Sequence, residues 1–139
     1  MSYTTIIAAV DVVNAAITGI RSHYTYEPMT PATPCLYAIL GSIPEMNQYP
    51  HMEEIKYDIL LRLLLRYTNV EKAEDDAITF IDRIITAYRS AVQLDGTLTN
   101  GNARLIGGRA GYVAVGSVIY RLIEFTLRVT ERTAVTFSE

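Results

Sequence analysis

Residues 101–111 (GNARLIGGRAG) have the glycine content of a phosphate-binding loop. Such loops work because glycines let backbone amides approach a phosphate just ahead of a helix N-terminus. Here no Gly-Lys-Ser/Thr ending follows, and the residues downstream alternate as a strand, so the segment reads as a flexible loop. Ser117 follows Gly116 but lacks the pattern of a nucleophile elbow and sits inside a strand pattern, as a core or bulge residue does. His23, His51 and Cys35 are the remaining metal-ligand types, and a zinc site needs three or four convergent ligands. Local spacing offers none. Glu53-Glu54 and Asp75-Asp76 resemble paired carboxylates for acid/base work. Neighbours on a strand, however, point to opposite faces, and acids near a helix start are accounted for by the helix dipole. The sequence predicts no catalytic residue, no cofactor and no metal.

The elements that would position these groups follow from apolar periodicity. Residues 110–133 (AGYVAVGSVIYRLIEFTLRVTERT) alternate almost throughout. Val113, Val115, Ile119, Ile123, Phe125, Leu127 and Val129 share one parity; Glu124, Thr126, Arg128 and Thr130 share the other. That pattern puts one face of a strand on a core. Gly116-Ser117, near the middle, suits a bend, a bulge or a tight turn. Residues 53–67 alternate in the same way, with Ile55, Tyr57, Ile59, Leu61, Leu63, Leu65 and Tyr67 on the apolar parity. A helix is the competing reading, because Glu54, Asp58, Arg62 and Arg66 recur every four residues and Leu60 and Leu64 break the strand parity. Lys56 falls off the helical polar face and favours the strand.

Residues 4–21 read as an amphipathic helix through Ile6, Val10, Val13, Ile17 and Ile20. Residues 22–34 follow as an extended connector with Pro28, Pro31 and Pro34 at every third position, and residues 35–40 (CLYAIL) as a short buried strand. Residues 42–52 (SIPEMNQYPHM) read as a turn-rich loop. Residues 70–94 form the clearest helix, with Glu71, Glu74, Asp75 and Asp76 near its start and a stripe of Ile78, Ile81, Ile85, Tyr88 and Val92, widened by Ala77, Ile84 and Ala91. Asp95-Gly96 signals its end, and residues 97–109 read as a long glycine-bearing loop. The whole is predicted as a single domain, 1–139, of α+β class. Two helices pack on one face of a mostly antiparallel sheet, in the order helix–strand–strand–helix–strand–strand.

Composition limits the function classes. With 12 Lys+Arg against 15 Asp+Glu, the net charge of −3 argues against groove or backbone binding to nucleic acid. Only two lysines, Lys56 and Lys72, leave no polybasic membrane patch. One cysteine excludes an intramolecular disulfide and fits a reducing compartment. No charged leader precedes an apolar run, so a soluble, cytoplasmic protein without a secretory signal is expected. Tyr24, Tyr26, Met29, Met46, Tyr49 and Met52 lie in the two proline-bearing segments, and Tyr and Met are residue types suited to protein–protein contact.

The element order resembles that of the tail terminator, or tail completion, proteins of long-tailed bacteriophages. The resemblance lies in the Pro-rich approach to TPCLYAIL, the strand EIKYDILLRLLLRY, the acidic-start helix EDDAITFIDRIITAYRSAV and the ending GYVAVGSVIYRLIEFTLRVTE. It covers nearly the whole chain and rests on element order and strand texture, without a catalytic signature. It implies a virion protein, assembled in the host cytoplasm, that forms a ring, commonly hexameric. Such a ring caps the tail tube protein, stops its polymerisation and presents a docking surface to the head–tail connector protein. DNA would pass through its channel without sequence-specific binding, and no membrane is involved. A head–tail adaptor, or another ring-forming virion component, is the alternative within that class; a small α+β enzyme using 101–111 is the alternative outside it. The candidate assembly interface is Met46, Tyr49, Met52, Arg104, Leu105, Ile106 and Arg109, carried on loops 42–52 and 97–109, which are expected to be mobile in the isolated subunit and to order on assembly.

Overall fold

The computed structural model describes residues 3–94, 96–98 and 101–134. Helix α1 (Tyr3–Ala15) leads to β1 (Ser22–Tyr24), β2 (Cys35–Tyr49) and β3 (Met52–Arg66), followed by α2 (Val70–Ser90), β4 (Asn102–Val115) and β5 (Val118–Ala134). The five strands form one sheet in the order β1-β2-β3-β5-β4. Only the β1–β2 pair is parallel. The fold is α+β, with both helices on one face of the sheet.

The apolar parity of β3 and β5 builds that covered face. Leu61 and Phe125 are paired residues, as are Ile59 with Leu127 and Leu63 with Ile123. All six sit in the main core with Ile6, Val10 and Val13 of α1 and Ile84 and Tyr88 of α2. Burying residues of this type stabilises by about 1.5–3 kcal/mol each. The strand reading of 53–67 is correct. Gly116-Ser117 is the turn of the β4–β5 hairpin, with Gly116 at φ 63, a left-handed geometry that costs glycine little.

Both segments expected to be loops are mainly strand, and their expected mobility has no basis in this fold. Most of 42–52 belongs to β2 and the start of β3, turning only at Pro50 and His51. The span 97–109 contributes Asn102 onward to β4; Asp95, Thr99 and Asn100 lie outside the described residues. The signals that suggested loops are edge-strand devices. Register shifts break β2 between Leu40 and Ser42 and again between Ser42 and Glu45, where Pro44 is accommodated. Another shift separates Leu105 from Gly107 in β4, and bulges of this kind suit sheet edges. Gly101 lets β4 begin, since a Cβ there would lie 2.0 Å from the Thr130 carbonyl oxygen. The connector 22–34 also contains a short strand, β1, that was not anticipated.

Both helices end earlier than expected. In α2 the N-cap is Asn69, whose side chain accepts a hydrogen bond from the Lys72 amide at 3.2 Å. Beyond Ser90 the chain turns through Leu94 at φ 47 and Gly96 at φ 88. The expected α2 stripe holds at Ala77, Ile84, Tyr88 and Ala91, which are buried, and at Ile81 and Ile85, which pack against the core; it fails at Ile78 and Val92. The buried residues are Ala73, Ala77, Phe80, Ile84 and Tyr88, while Ile78 is 63% exposed and Val92 48%. Alanines let the helix approach the sheet, and Phe80 fills the space towards α1. Ile78→Ala is therefore expected to change stability by less than about 0.5 kcal/mol in urea unfolding.

The second face of the sheet is neither bare nor uniformly polar. Cys35, Tyr37, Leu64, Tyr120 and Leu122 form a separate buried cluster there, flanked by Tyr24, Ile39, Val113 and Val115. Leu64, which broke the expected parity, is fully buried in it.

Candidate assembly surface

The rest of that second face is a ladder of ion pairs between directly opposed residues. Arg132 donates to Glu54 at 2.8 Å, and Arg128 grips Asp58 through two hydrogen bonds of 2.9 and 3.0 Å. Glu124 accepts from Arg62 at 2.7 Å and from Arg109 at 3.0 Å. Lys56 meets Glu45 at 2.7 Å. Each is a registered pair across β2–β3, β3–β5 or β4–β5, and opposite charges so placed support the register. The sequence shows these residues on one parity but does not show who faces whom.

Glu124 is the most enclosed carboxylate of the ladder. Burial opposes its charge, yet the hydrogen bonds from Arg109 and Arg62 prevail and hold its carboxyl below the usual range. A depressed folded-state pKa contributes stability above the unfolded value of about 4.3 and loses it as pH falls through the folded one. Glu124→Gln should therefore flatten the acid limb of stability against pH below about 4.3. Urea midpoints of both proteins between neutral and acid pH measure this, and parallel limbs would refute it.

The candidate chemical groups are dispersed. His23, on β1, contacts Asp11 at 2.9 Å, while His51 lies in the β2–β3 turn. Cys35 is buried, and burial pushes its thiol pKa up, away from the reactive thiolate. Glu53 and Glu54 lie on opposite faces of β3, as the strand reading requires. Residues 101–111 are extended backbone in β4 rather than a loop ahead of a helix. Among the described residues no group of three or more His, Cys, Asp and Glu is arranged to hold a metal ion. No helix among them is long and apolar enough to cross a membrane.

The seven expected interface residues fall into two separate patches. Met46, Tyr49 and Met52 lie on a tongue formed by the ends of β2, β3 and β5, where β3 continues pairing as far as Met52 with Ala134. Met46 is 67% exposed and Tyr49 45%, with Ile43 alongside at 45%; Met52 is half-buried. Arg104, Leu105, Ile106 and Arg109 lie on β4, the opposite edge of the sheet. Arg104 and Ile106 are exposed, Leu105 packs against the core, and Arg109 is tied to Glu124. Sequence reasoning missed the groove between α2 and β4, of about 650 Å³, lined by Ile85, Val92, Leu105 and Phe125 and bordered by Arg89 and Arg104. Val92 belongs to the expected stripe, and its exposure marks this groove.

No family model and no curated protein matches the chain. Among solved structures that match in shape, one whose name states no function aligns over 100% of this chain and 99% of its own. The identity is 12% and the TM-score 0.41. A likeness at that level assigns no function.

Proposed function

We propose that this chain is a structural virion protein of the tail terminator kind. In this reading copies of it form a ring, taken as hexameric, that caps the tail tube protein, halts its growth and offers the head–tail connector protein a docking face. The observation that supports the reading is the pair of unlike, unpartnered patches at opposite edges of one sheet. One is an apolar tongue beyond β1; the other is an open edge strand beside a groove. Unlike patches make a heterologous contact, which closes into a ring when the rotation per subunit completes a circle. The ladder suits passage of DNA through a channel, since arginines already held by carboxylates pull weakly on phosphates. A head–tail adaptor would use the same surfaces. Complementation of a phage lacking its terminator separates the two: overlong tails rescued by this chain support termination, and rescue only of an adaptor-deficient phage supports the adaptor.

A further inference from the structure

We propose that the tongue of one copy seats in the α2–β4 groove of the next, with Met46 entering the groove and Glu53 meeting Arg89 and Arg104. This rests on the ring reading above and gives it a joint.

The tongue face follows from register. Met46 pairs with Ile55 and Gln48 with Glu53, so Met46, Glu53 and Ile55 share one face of the tongue. It presents an exposed unbranched side chain beside an acid. Residues 42–55 contain three acids, Glu45, Glu53 and Glu54, and no lysine or arginine. Glu45 and Glu54 are committed to Lys56 and Arg132. Glu53 is in no ion pair among the described residues.

The groove has the opposite character. Its apolar floor of Ile85, Leu105 and Phe125 is bordered by Arg89 of α2 and, at the open β4 edge, by Arg104, whose register opposite Arg128 starts its side chain on the ladder face; no carboxylate lines the groove. Arg62, Arg109, Arg121, Arg128 and Arg132 are all engaged by carboxylates. Arg89 and Arg104 are exposed and in no ion pair among the described residues. Arg66 and Lys72 are likewise outside ion pairs among the described residues, so what the two surfaces offer is opposite charge: an unpaired acid on the tongue face, and two unpaired arginines with no carboxylate at the groove. Methionine adapts to irregular apolar space, and an apolar anchor ringed by charge has the make-up of an interface centre with its rim. The outer side of β4 pairs with no further strand, although the Ala103 amide beside the groove is already given to the Val92 carbonyl at 2.7 Å. Because tongue and groove lie on opposite edges of the sheet, one copy cannot join its own halves, and the contact propagates from copy to copy.

The test uses the full chain and sedimentation velocity over a range of concentrations. Met46→Asp damages only the tongue and Arg104→Glu only the groove; both positions are exposed, so folding is retained. Each variant alone should need about tenfold or more higher concentration to assemble. Mixed in equal amounts, they should form a dimer and nothing larger, because one intact tongue meets one intact groove. Arg104→Glu combined with Glu53→Arg should restore assembly. A mixture that stays monomeric, or single variants that assemble like the parent, would overturn this joint while leaving the ring reading standing. A parent chain that stays monomeric at every concentration would remove both.

Discussion

Leu61→Ala is expected to lower stability by about 2–5 kcal/mol, read as a shift of the urea unfolding midpoint at unchanged slope. Leu61 is fully buried at the centre of the covered face, opposite Phe125 on the neighbouring strand. Neither helix can settle into the space that its side chain would leave without losing contacts elsewhere along the sheet. Phe125→Ala should fall in the same range, towards its lower end, because Phe125 also forms part of the α2–β4 groove and the vacated space opens to solvent. The two losses should not add, since paired neighbours share one cavity. Leu64→Ala decides between a sheet buried on one face and a sheet buried on both. Leu64 is fully buried in the second cluster, so its loss should approach that of Leu61, whereas Thr126→Ala on the same face should stay within about 0.5 kcal/mol. A negligible effect of Leu64→Ala would mean that the second cluster carries little of the fold.

What could be read from the chain follows the same physical division. β3 and β5 are central strands with helices on one side, so their buried residues alternate over long runs and survive inspection without a partner. The α2 start was legible because Glu71 and the acids after it suit the positive end of the helix dipole; the Asn69 cap was not read. β4 and the distal half of β2 are edges. There Pro44, Gly107 and Gly108 interrupt alternation, and interruption is what keeps an edge from pairing indiscriminately. Read alone, the same residues signal loops. The α2 stripe departs only at its margins: the covered side also takes Ala73 and Phe80, which the stripe left out, and leaves Ile78 and Val92 exposed. The candidate residues can be named from the sequence, but their division into two separate patches cannot. That division depends on strand order, and Glu54–Arg132, Asp58–Arg128 and Arg62–Glu124 likewise depend on register.

The largest functional effect is expected from damage to assembly, with chemistry left untouched. Met46→Asp or Arg104→Glu, supplied to a phage lacking its terminator, should leave tails of uncontrolled length or tails detached from heads, while the parent chain restores uniform tails. Both substitutions alter exposed side chains and should leave unfolding midpoints near that of the parent, so the failure would lie in association. His23→Ala, His51→Ala and Ser117→Ala should restore tails fully. The His23 ring is paired with Asp11, but no hydroxyl or thiol is hydrogen-bonded to that ring among the described residues, and His51 and Ser117 occupy turns with no side-chain partner there. Cys35→Ala belongs with them provided the protein folds, because a buried thiol contributes packing to the second cluster and little reactivity. Tail length scored by electron microscopy, beside the unfolding midpoint of each variant, separates the two classes. Normal tails from Met46→Asp and Arg104→Glu would remove the joint and leave assembly through other surfaces standing, whereas failure from a well-folded His51→Ala would refute a protein that works by assembly alone, because it would show a group at the tongue tip acting through its own chemistry.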